Sequence, residues 1–410
     1  MSYPKTSVLY YPASTGVSED ITAKITNWKT SNSIDKKAGV FNIGVINPQG
    51  LNTGSLQYGD NIEIKVGWVG SPLVTAFFGV IEEESVRSNG ILEYRGIDYA
   101  GKLMDSLVQQ VYTSGTTIGS LYRVNSNGVG STVFVHTPGD VNSDIVVQHL
   151  IKQFYYKSLP NDELDYVTYI GSSCKGWATV TAFEGVGSDF FKSFTNKRLI
   201  ECINEVKSNN FTGNGDYLFY VDNQKKIHFI PKPSYVYDEK IDFDNDVLSF
   251  DLSRGTSNQY TAIMVNAGQV SGNNYDSYCA GYNRTAIRQS GWKWGYVDEK
   301  GIAANIDIVH PDWSIDDRED LTKSLGRDRA NAIARDQGLP KWGGKVIIRG
   351  NNNYSLGSAY NVILETKRFG DGEGNSFGNK QLRLIGIDNE YTDKGWFTTL
   401  ELKQDYGDIR

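Results

Sequence analysis

Residues 382–402, LRLIGIDNEYTDKGWFTTLEL, form the segment that is most informative about the fold. It begins as a strand of alternating apolar residues and runs into Gly-Ile-Asp, and residues 92–107, LEYRGIDYAGKLMDSL, follow the same plan. A second pair stands upstream, SLQYGDNIEI at residues 55–64 and SLGSAYNVIL at residues 355–364. These two pairs predict that one kind of strand module begins and ends the chain.

Both ends of the chain show the alternation of half-buried β-strands. The apolar residues Ile62, Ile64, Val66 and Trp68 fall on one face of a strand. Residues 88–90, Ser-Asn-Gly, predict a hairpin turn between two further strands. Short turns with no helix between the strands indicate an antiparallel sandwich or small barrel. The predicted fold class is mainly β (α+β), with two related antiparallel β-barrel or sandwich modules at the ends and a mixed α/β middle.

The pattern divides the chain into four predicted parts. They are a first module with a closing helix at residues 1–110, a mixed α/β domain at 111–245, a second module at 246–272 plus 339–410, and an insertion at 273–338 with a helix at about 315–337. Leu103, Leu107, Val108 and Val111 recur at helical spacing and predict the closing helix. In the middle part, Thr195 is predicted to cap another helix.

The composition excludes several classes of function. The net charge is −7, from 41 basic and 48 acidic residues with no basic cluster, so no sequence-specific or sequence-independent nucleic-acid binding is expected. The cysteines, Cys174, Cys202 and Cys279, are far apart and odd in number, which argues against a disulfide framework and fits a reducing cytoplasm. No signal-peptide pattern and no long apolar run occur, so no membrane anchor is expected.

The sequence carries no catalytic signature. The four histidines are not arranged as metal-ligand or acid–base pairs, and no Gly-x-Ser-x-Gly nucleophile motif occurs. We therefore expect no enzymatic activity, no catalytic residues, no cofactor and no dedicated metal site. Residues 242–246, DFDND, place three carboxylates at alternate positions, but Val247 and Ser253 stand where a calcium loop needs Gly and Glu. Chelation through another geometry stays open there.

One aromatic cluster stands out in the insertion. Trp292, Trp294 and Tyr296 occupy alternate positions of a predicted strand. Aromatic faces of this kind bind sugars, but they equally cover a core or a subunit contact. The cluster is interpreted as a core or interface element, with carbohydrate stacking as the alternative.

The two end modules resemble the baseplate hub proteins of phage tails and related injection machines. In that family Gly-Asp begins a strand, an aromatic-Gly-x-Ile follows, and a Gly-x-Asp strand ends in a short helix. Residues 59–60, 78–81 and 96–98 fill these places, and residues 354–364 and 382–403 are similar to the closing segment of the family. The resemblance runs along the whole chain, but its sharp motifs are patterns of strand and turn.

The resemblance implies a function through assembly. Each chain of such a hub carries two related tube-type barrels, so a homotrimer presents six and adapts a six-fold tail tube to a three-fold spike around the channel. The implied partners are the chain itself, a tail tube or distal tail protein, a separate spike or needle protein, and baseplate or wedge proteins. The implied location is the baseplate of the virion tail, after assembly in the cytoplasm of the host bacterium.

Seven residues are expected to shape the modules. Gly59 starts a strand, and Gly79, Gly96 and Gly386 are expected to permit tight turns. The aspartates are expected to cap or bridge turns through backbone N–H groups; they are Asp60, Asp98 and Asp388. A purely fold-making role and an interface role both stay open for these seven residues.

Three other functions compete with the hub interpretation. One is another tail-tip component with the same barrels, such as a distal tail ring or a tail-associated protein, although a ring protein would usually need one barrel. Another is a cell-wall hydrolase, which lacks a recognisable nucleophile or metal site here. The last is a carbohydrate-binding module that uses the aromatic cluster.

Overall fold

The structure is a computed structural model. It describes residues 3–34, 38–87, 90–104, 106–112, 121–124, 130–133, 147, 150–151, 192–208, 217–222, 227–231, 235–242, 247–255, 259–310, 312–363 and 379–404. In these ranges the protein is mainly β, as predicted. None of the described helices combines the length and the apolar character that a membrane-crossing helix needs.

The N-terminal strands form a first module, here called the N-module. Its strands are β1 (Pro4–Tyr11), β2 (Glu19–Asp20), β3 (Ile25–Ser33), β4 (Val40–Ile46), β5 (Asn61–Trp68), β6 (Val74–Val86) and β7 (Ile91–Asp98). They pair in the order β3-β4-β7-β6-β5-β1-β2, with every described pair antiparallel. Alternate residues point inward, so one continuous apolar core forms inside the module.

In the described residues of the middle of the chain, short strands form small two-stranded sheets, and one helix has both of its ends described. The described elements are β8 (Leu107–Tyr112), β9 (Leu121–Val124), β10 (Gly130–Val133), β11 (Lys192–Arg198), α1 (Leu199–Ser208), β12 (Tyr217–Val221) and β13 (Ile227–Pro231). Strands β8 and β11 pair, as do β9 with β10 and β12 with β13.

Two predictions about this middle region were wrong. In place of the predicted closing helix the structure has one 3₁₀ turn, Gly101–Met104. Leu107, Val108 and Val111 lie instead in β8, which pairs with β11. Thr195 lies inside β11 and does not cap α1. In both places a long-range strand pairing overrides the local helical spacing.

A second module, here called the C-module, repeats the first. Its strands are β14 (Tyr235–Asp242), β15 (Val247–Gly255), β19 (Lys341–Arg349), β20 (Ala359–Ile363), β21 (Asn379–Thr392) and β22 (Gly395–Lys403). They pair in the order β15-β19-β22-β21-β20-β14, which is the order β3-β4-β7-β6-β5-β1 of the N-module strand for strand. The outermost pair differs, because β1 and β5 are antiparallel whereas β14 and β20 are parallel.

The two modules also share two β-bulges at matching positions. In the N-module, Thr26 of β3 and Glu82 of β6 are skipped by the strand ladder as β-bulges. In the C-module, Leu248 of β15 and Ile385 of β21 are skipped at the matching steps. A β-bulge interrupts the ladder hydrogen bonds and bends the strand. Two bulges at the same positions therefore indicate that the two modules have the same architecture.

Between strands β15 and β19 the chain forms a separate small layer. A three-stranded sheet of β16 (Ala262–Asn266), β17 (Tyr278–Tyr282) and β18 (Trp294–Asp298) is joined by α2 (Arg284–Ser290), α3 (Gly301–Val309) and α4 (Ile315–Gln337). Helix α4 confirms the predicted helix at about 315–337, and Ser314 caps it by accepting from the Asp317 N–H. Strand β16 was expected to complete the second module; it pairs with β17 and β18 instead. The wider domain division stays a prediction.

Candidate functional site

The module seam is the place where the two modules join. We define it as residues 28–33 of β3 paired antiparallel with residues 386–391 of β21. Trp28 stacks on Tyr391 with ring centroids 5.8 Å apart, and Lys29 forms an exposed 4.0 Å ion pair with Glu390. Thr30 and its cross-strand partner Asn389 are buried. The seam turns two modules into one continuous sheet.

Sequence reasoning missed the seam and the tryptophans beside it. Trp396 belongs to β22 of the C-module but is buried in the core of the N-module. Its ring lies 5.7 Å from that of Trp68, whose Nε1 donates to the Gly350 carbonyl over 3.0 Å. The Trp-Phe-Thr-Thr pattern of β22 predicts a strand, but nothing local tells which module receives its tryptophan.

Gly59 occupies the same backbone position in its module as Gly357 does in the other. Gly59 has φ +86° and donates its N–H to the Ile81 carbonyl over 2.9 Å. Gly357 has φ +83° and donates to the Leu384 carbonyl over 2.8 Å. A positive φ is a conformation that glycine adopts without a steric penalty, so each glycine lets the chain turn into the following strand.

Asp60 follows this turn and is buried. Its Oδ1 accepts from the Ala13 N–H over 2.8 Å, and the Tyr10 hydroxyl donates to its Oδ2. Burial, with the Asp60 hydrogen bond second, raises the pKa of Tyr10 to about 12, so the hydroxyl stays a donor at neutral pH. Asp60 thus ties the strand β1 to the start of β5.

Asp98 ends β7 and is also buried. Its Oδ2 accepts from the Gly39 N–H over 2.8 Å, and its Oδ1 accepts from the Ala100 N–H over 2.9 Å. Burial raises the pKa of this carboxyl to about 7, although the backbone hydrogen bonds favour the charged form and oppose the rise. Asp98 bridges the β3–β4 loop to the 3₁₀ turn, in the manner expected of a turn residue.

The raised pKa of Asp98 predicts a pH-dependent stability. Since the folded protein holds this proton up to about pH 7 and the unfolded chain releases it near pH 4, unfolding becomes easier as pH rises between these values. We expect the free energy of unfolding to fall by up to about 1.4 kcal/mol per pH unit from this group. In Asp98→Asn, urea denaturation between pH 4.5 and 7.5 should show a shallower slope. An unchanged slope would contradict the assignment.

Two of the predicted turn glycines lie inside strands. A Cβ on Gly79 would meet the Ile97 carbonyl oxygen at 2.4 Å, and a Cβ on Gly96 would meet the Val80 carbonyl oxygen at 1.8 Å. Both glycines therefore permit a close approach of β6 and β7 rather than a turn, which corrects the expectation for them.

Gly386 and Asp388 also lie inside a strand, β21, and not at a turn. Gly386 follows the bulge residue Ile385, and Asp388 pairs with Thr399 on one side and with Ser31 on the other. Both residues pair with β3 of the same chain in the seam, and a fold-making role and an interface role both stay predictions for them.

The aromatic cluster lies on the open face of the three-stranded sheet. Trp292, Trp294 and Tyr296 are 60%, 53% and 60% exposed, and the two tryptophan rings stack 5.6 Å apart. The ring centroid of Tyr282, which lies in β17 on the other side of β16, is 6.4 Å from that of Trp292. The opposite face of the sheet is covered by α4 through Ala330 and Ala334. The core interpretation of the three aromatic residues was wrong, because they are exposed on the face opposite α4; the interface interpretation and the carbohydrate alternative stay predictions.

No group of three or more metal-ligating side chains lies together in the described part of the chain. Residues 243–246 of the acidic stretch lie outside the described residues, so this structure does not describe the alternative chelating arrangement there.

The fold is shared with solved phage tail proteins. No family model matches the chain, and no curated protein matches its sequence. The tail protein from Neisseria meningitidis MC58 is 11% identical with a TM-score of 0.52, over 98% of this chain and 97% of that one. The 43 kDa tail protein of prophage MuSo2 from Shewanella oneidensis is 9% identical with a TM-score of 0.54, over 97% of this chain and 98% of that one.

A third similar structure is the prophage tail protein gp18 from Listeria monocytogenes EGD-e. It is 12% identical with a TM-score of 0.50, over 96% of this chain and 94% of that one. At such identities the likeness shows the fold, and it extends over nearly the full length of all three proteins. The chain therefore has the fold of phage tail proteins, which confirms the resemblance at the level of the fold.

Proposed function

We propose that the protein is a structural component of a phage tail tip, and specifically a baseplate hub. Three chains assemble into a ring of six quasi-equivalent modules that encloses the channel. The ring joins a six-fold tail tube or distal tail protein on one side to a separate three-fold spike on the other. The protein works by assembly, without catalysis, in the baseplate of the virion tail after assembly in the host cytoplasm.

The duplication of the module is the observation that carries this proposal. The N-module and the C-module share a strand order and two β-bulges at matching positions. A surface that binds a six-fold partner must be offered six times, and closed rings of identical chains satisfy this only if each chain offers a whole number of copies. Two copies per chain make a trimer the matching assembly.

The solution mass tests the assembly. Light scattering coupled to size exclusion should give three times the chain mass of 45.6 kDa, because three chains complete six modules. Electron micrographs of that species should show a ring with pseudo-six-fold symmetry. A six-chain ring would instead support the distal tail alternative, and a monomer at high concentration in the presence of the tube and spike partners would contradict both.

Carbohydrate binding by the aromatic cluster is a second candidate function. The specific observation is the exposed, parallel ring pair of Trp292 and Trp294, whose planes are inclined by 10°. Flat exposed aromatic faces bind the apolar faces of sugars as well as protein partners.

A glycan array separates this second candidate from the hub. If the cluster binds sugars, Trp292→Ala should abolish the signal, whereas Trp313→Ala, which removes another exposed tryptophan, should leave it intact. An array with no wild-type signal, or a signal insensitive to Trp292→Ala, would exclude the sugar site.

A further inference from the structure

The module seam uses only half of the matching edges that the duplication creates. Within the chain, β3 of the N-module pairs with β21 of the C-module. The strand equivalent to β3 is β15, and the strand equivalent to β21 is β6. In the described part of the chain, β15 ends the sheet, and residues 83–86 of β6 pair with β7 alone. The described chain therefore keeps one edge equivalent to that of β3, on β15, and one edge equivalent to that of β21, on β6.

The strand ladders fix which residues are equivalent. Across the N-module, Thr30, Phe41, Gly96 and Ile81 form one row of neighbours on four strands. The corresponding row of the C-module, strand for strand, is Leu252, Gly344, Leu402 and Leu384. The bulges fall at the same distance from these rows in both modules, so the rows set the register of the two modules against each other.

If β15 and β6 pair in the same register as β3 and β21 do in the seam, the paired residues are defined. The seam pairs of Asp388 with Ser31 and of Glu390 with Lys29 belong to one continuous antiparallel ladder. The same ladder between β6 and β15 brings together the following residues: Glu83 with Gly255, Glu84 with Arg254, Ser85 with Ser253, Val86 with Leu252, and Arg87 with Asp251.

The backbone groups needed for such a ladder face outward. The Arg87 N–H donates to the Ile91 carbonyl over 2.9 Å, so Arg87 faces the hairpin partner β7. In an antiparallel ladder successive residues alternate in direction, so Glu84 and Val86 turn their N–H and C=O groups to the outer edge. Val86 is 71% exposed, whereas Asn389 at the equivalent position in the seam is 4% exposed. Strand pairing in the seam thus buries Asn389, whereas the equivalent residue on the outer edge, Val86, is exposed to solvent.

The residues that would face each other between β15 and β6 have opposite charges, and the sign on each strand is the reverse of the sign in the seam. In the seam, Lys29 of β3 faces Glu390 of β21. At the equivalent positions, β15 carries Asp251 and β6 carries Arg87, which also bonds Glu93 of its own module over 2.6 Å. The neighbouring pair, Glu84 and Arg254, is opposite in charge as well. Opposite charges on paired strands stabilise the pair and like charges disfavour it.

We propose that β15 of one chain pairs antiparallel with residues 83–87 of β6 of a second copy of this chain, in the register of the module seam. This rests on the proposed function, because it supplies the contact that closes three chains into a ring. The charges also select the order of modules. Contact of β3 with β6 would oppose Lys29 to Arg87, and contact of β15 with β21 would oppose Asp251 to Glu390. N-modules and C-modules must therefore alternate around the ring.

Disulfide cross-linking tests the register directly. In the seam the Ile34 N–H donates to the Ile385 carbonyl. Because hydrogen-bonded and non-hydrogen-bonded pairs alternate along an antiparallel ladder, Asp388 and Ser31 form a non-hydrogen-bonded pair. The Cα atoms of such a pair are about 4.5 Å apart. That distance suits a disulfide. The chain carrying Ser85→Cys and Ser253→Cys should form covalent dimers and trimers on a non-reducing gel under mild oxidation.

Three controls accompany this variant. Ser31→Cys with Asp388→Cys should close a disulfide inside one chain, without a covalent oligomer. Ser85→Cys with Arg254→Cys shifts the register by one residue, places the thiols on opposite faces and should not cross-link. The single variants show whether Cys174, Cys202 or Cys279 contributes.

Charge reversal gives an independent measurement by light scattering. Arg87→Asp and Asp251→Arg should each weaken the trimer by about tenfold or more in concentration, because each places like charges across the contact. The double variant should regain most of the loss. Lys5→Glu reverses an exposed charge on β1, away from both edges, and should leave the trimer intact.

The outcomes separate this inference from the proposed function. A wild-type trimer without the Ser85–Ser253 cross-link and without charge rescue would overturn the strand pairing and leave the trimer standing. Cross-linking at high concentration with a monomeric wild type in light scattering would support the pairing and overturn a stable trimer. Neither oligomer nor cross-link would overturn both.

Discussion

Gly96→Ala is expected to lower the free energy of unfolding by about 3 kcal/mol or more. The added Cβ would lie 1.8 Å from the Val80 carbonyl oxygen and 2.5 Å from Cε1 of Phe41. The first obstacle is backbone, so relief requires β6 and β7 to separate in the middle of the N-module. Urea denaturation followed by tryptophan fluorescence measures the loss, which should appear as a lower midpoint with the same slope.

Gly343→Ala is the matched control for this variant. Gly343 also lies inside a strand, and the nearest atom to an added Cβ is the Leu402 carbonyl oxygen at 3.4 Å. Alanine there should change the free energy of unfolding by less than about 1 kcal/mol. Equal losses in the two variants would show that the close approach of β6 and β7 is not what requires Gly96.

Trp396→Ala is expected to lower the free energy of unfolding by about 3–5 kcal/mol. The side chain is 3% exposed, packs beside Trp68 and donates from Nε1 to the Asn389 Oδ1 over 3.2 Å. Gly350 crosses directly over its ring, since a Cβ on Gly350 would lie 1.8 Å from Cδ2 of Trp396. Truncation therefore opens a cavity at the boundary of the two modules, and denaturation should report it as a large loss.

Trp294→Ala controls for the loss of a tryptophan as such. Trp294 is 53% exposed on the open sheet face, so its removal should cost less than about 0.5 kcal/mol. If Trp396→Ala were as mild as Trp294→Ala, the two modules would not depend on each other through this ring.

The sequence predicted the module strands well because their signal is local. Alternating apolar residues in β5, β7 and β22 appear in the structure as alternately buried side chains. The same holds for α4, whose cap and stop are encoded within a few residues of its ends. Strand periodicity and capping depend on neighbours in the chain, so a single sequence is sufficient to show them.

The repeat was predicted with two pairs of segments: the pair at residues 55–64 and 355–364 leads into the equivalent strands β5 and β20, but the pair that contains Gly-Ile-Asp was equated wrongly. The Gly-Ile-Asp of residues 96–98 lies in β7, whereas that of residues 386–388 lies in β21, and these strands are not equivalent in the two modules. By ladder register, Gly386 matches Glu83 and Leu402 matches Gly96. A short shared motif shows only that two segments have similar strand-forming residues. Cross-strand pairing is needed to determine which strand of the module each segment forms.

Burial decided the roles of the aspartates and the aromatic cluster. The sequence placed Asp60, Asp98 and Asp388 in one class, yet two are enclosed and bind backbone N–H groups while the third lies in a strand between two partners. The alternation of Trp294 and Tyr296 predicted a strand face but not which face α4 covers.

The fold class, the two-module plan, the long helix and the absence of recognisable catalytic motifs could be read from the sequence alone, because each rests on residue type and near-neighbour spacing. The three-dimensional structure was needed to show that β3 pairs with β21, that Trp396 enters the N-module core, and that β15 and β6 keep matching edges among the described residues. The physical reason is that strand pairing joins backbone groups far apart in the chain, and backbone hydrogen bonds carry no residue code.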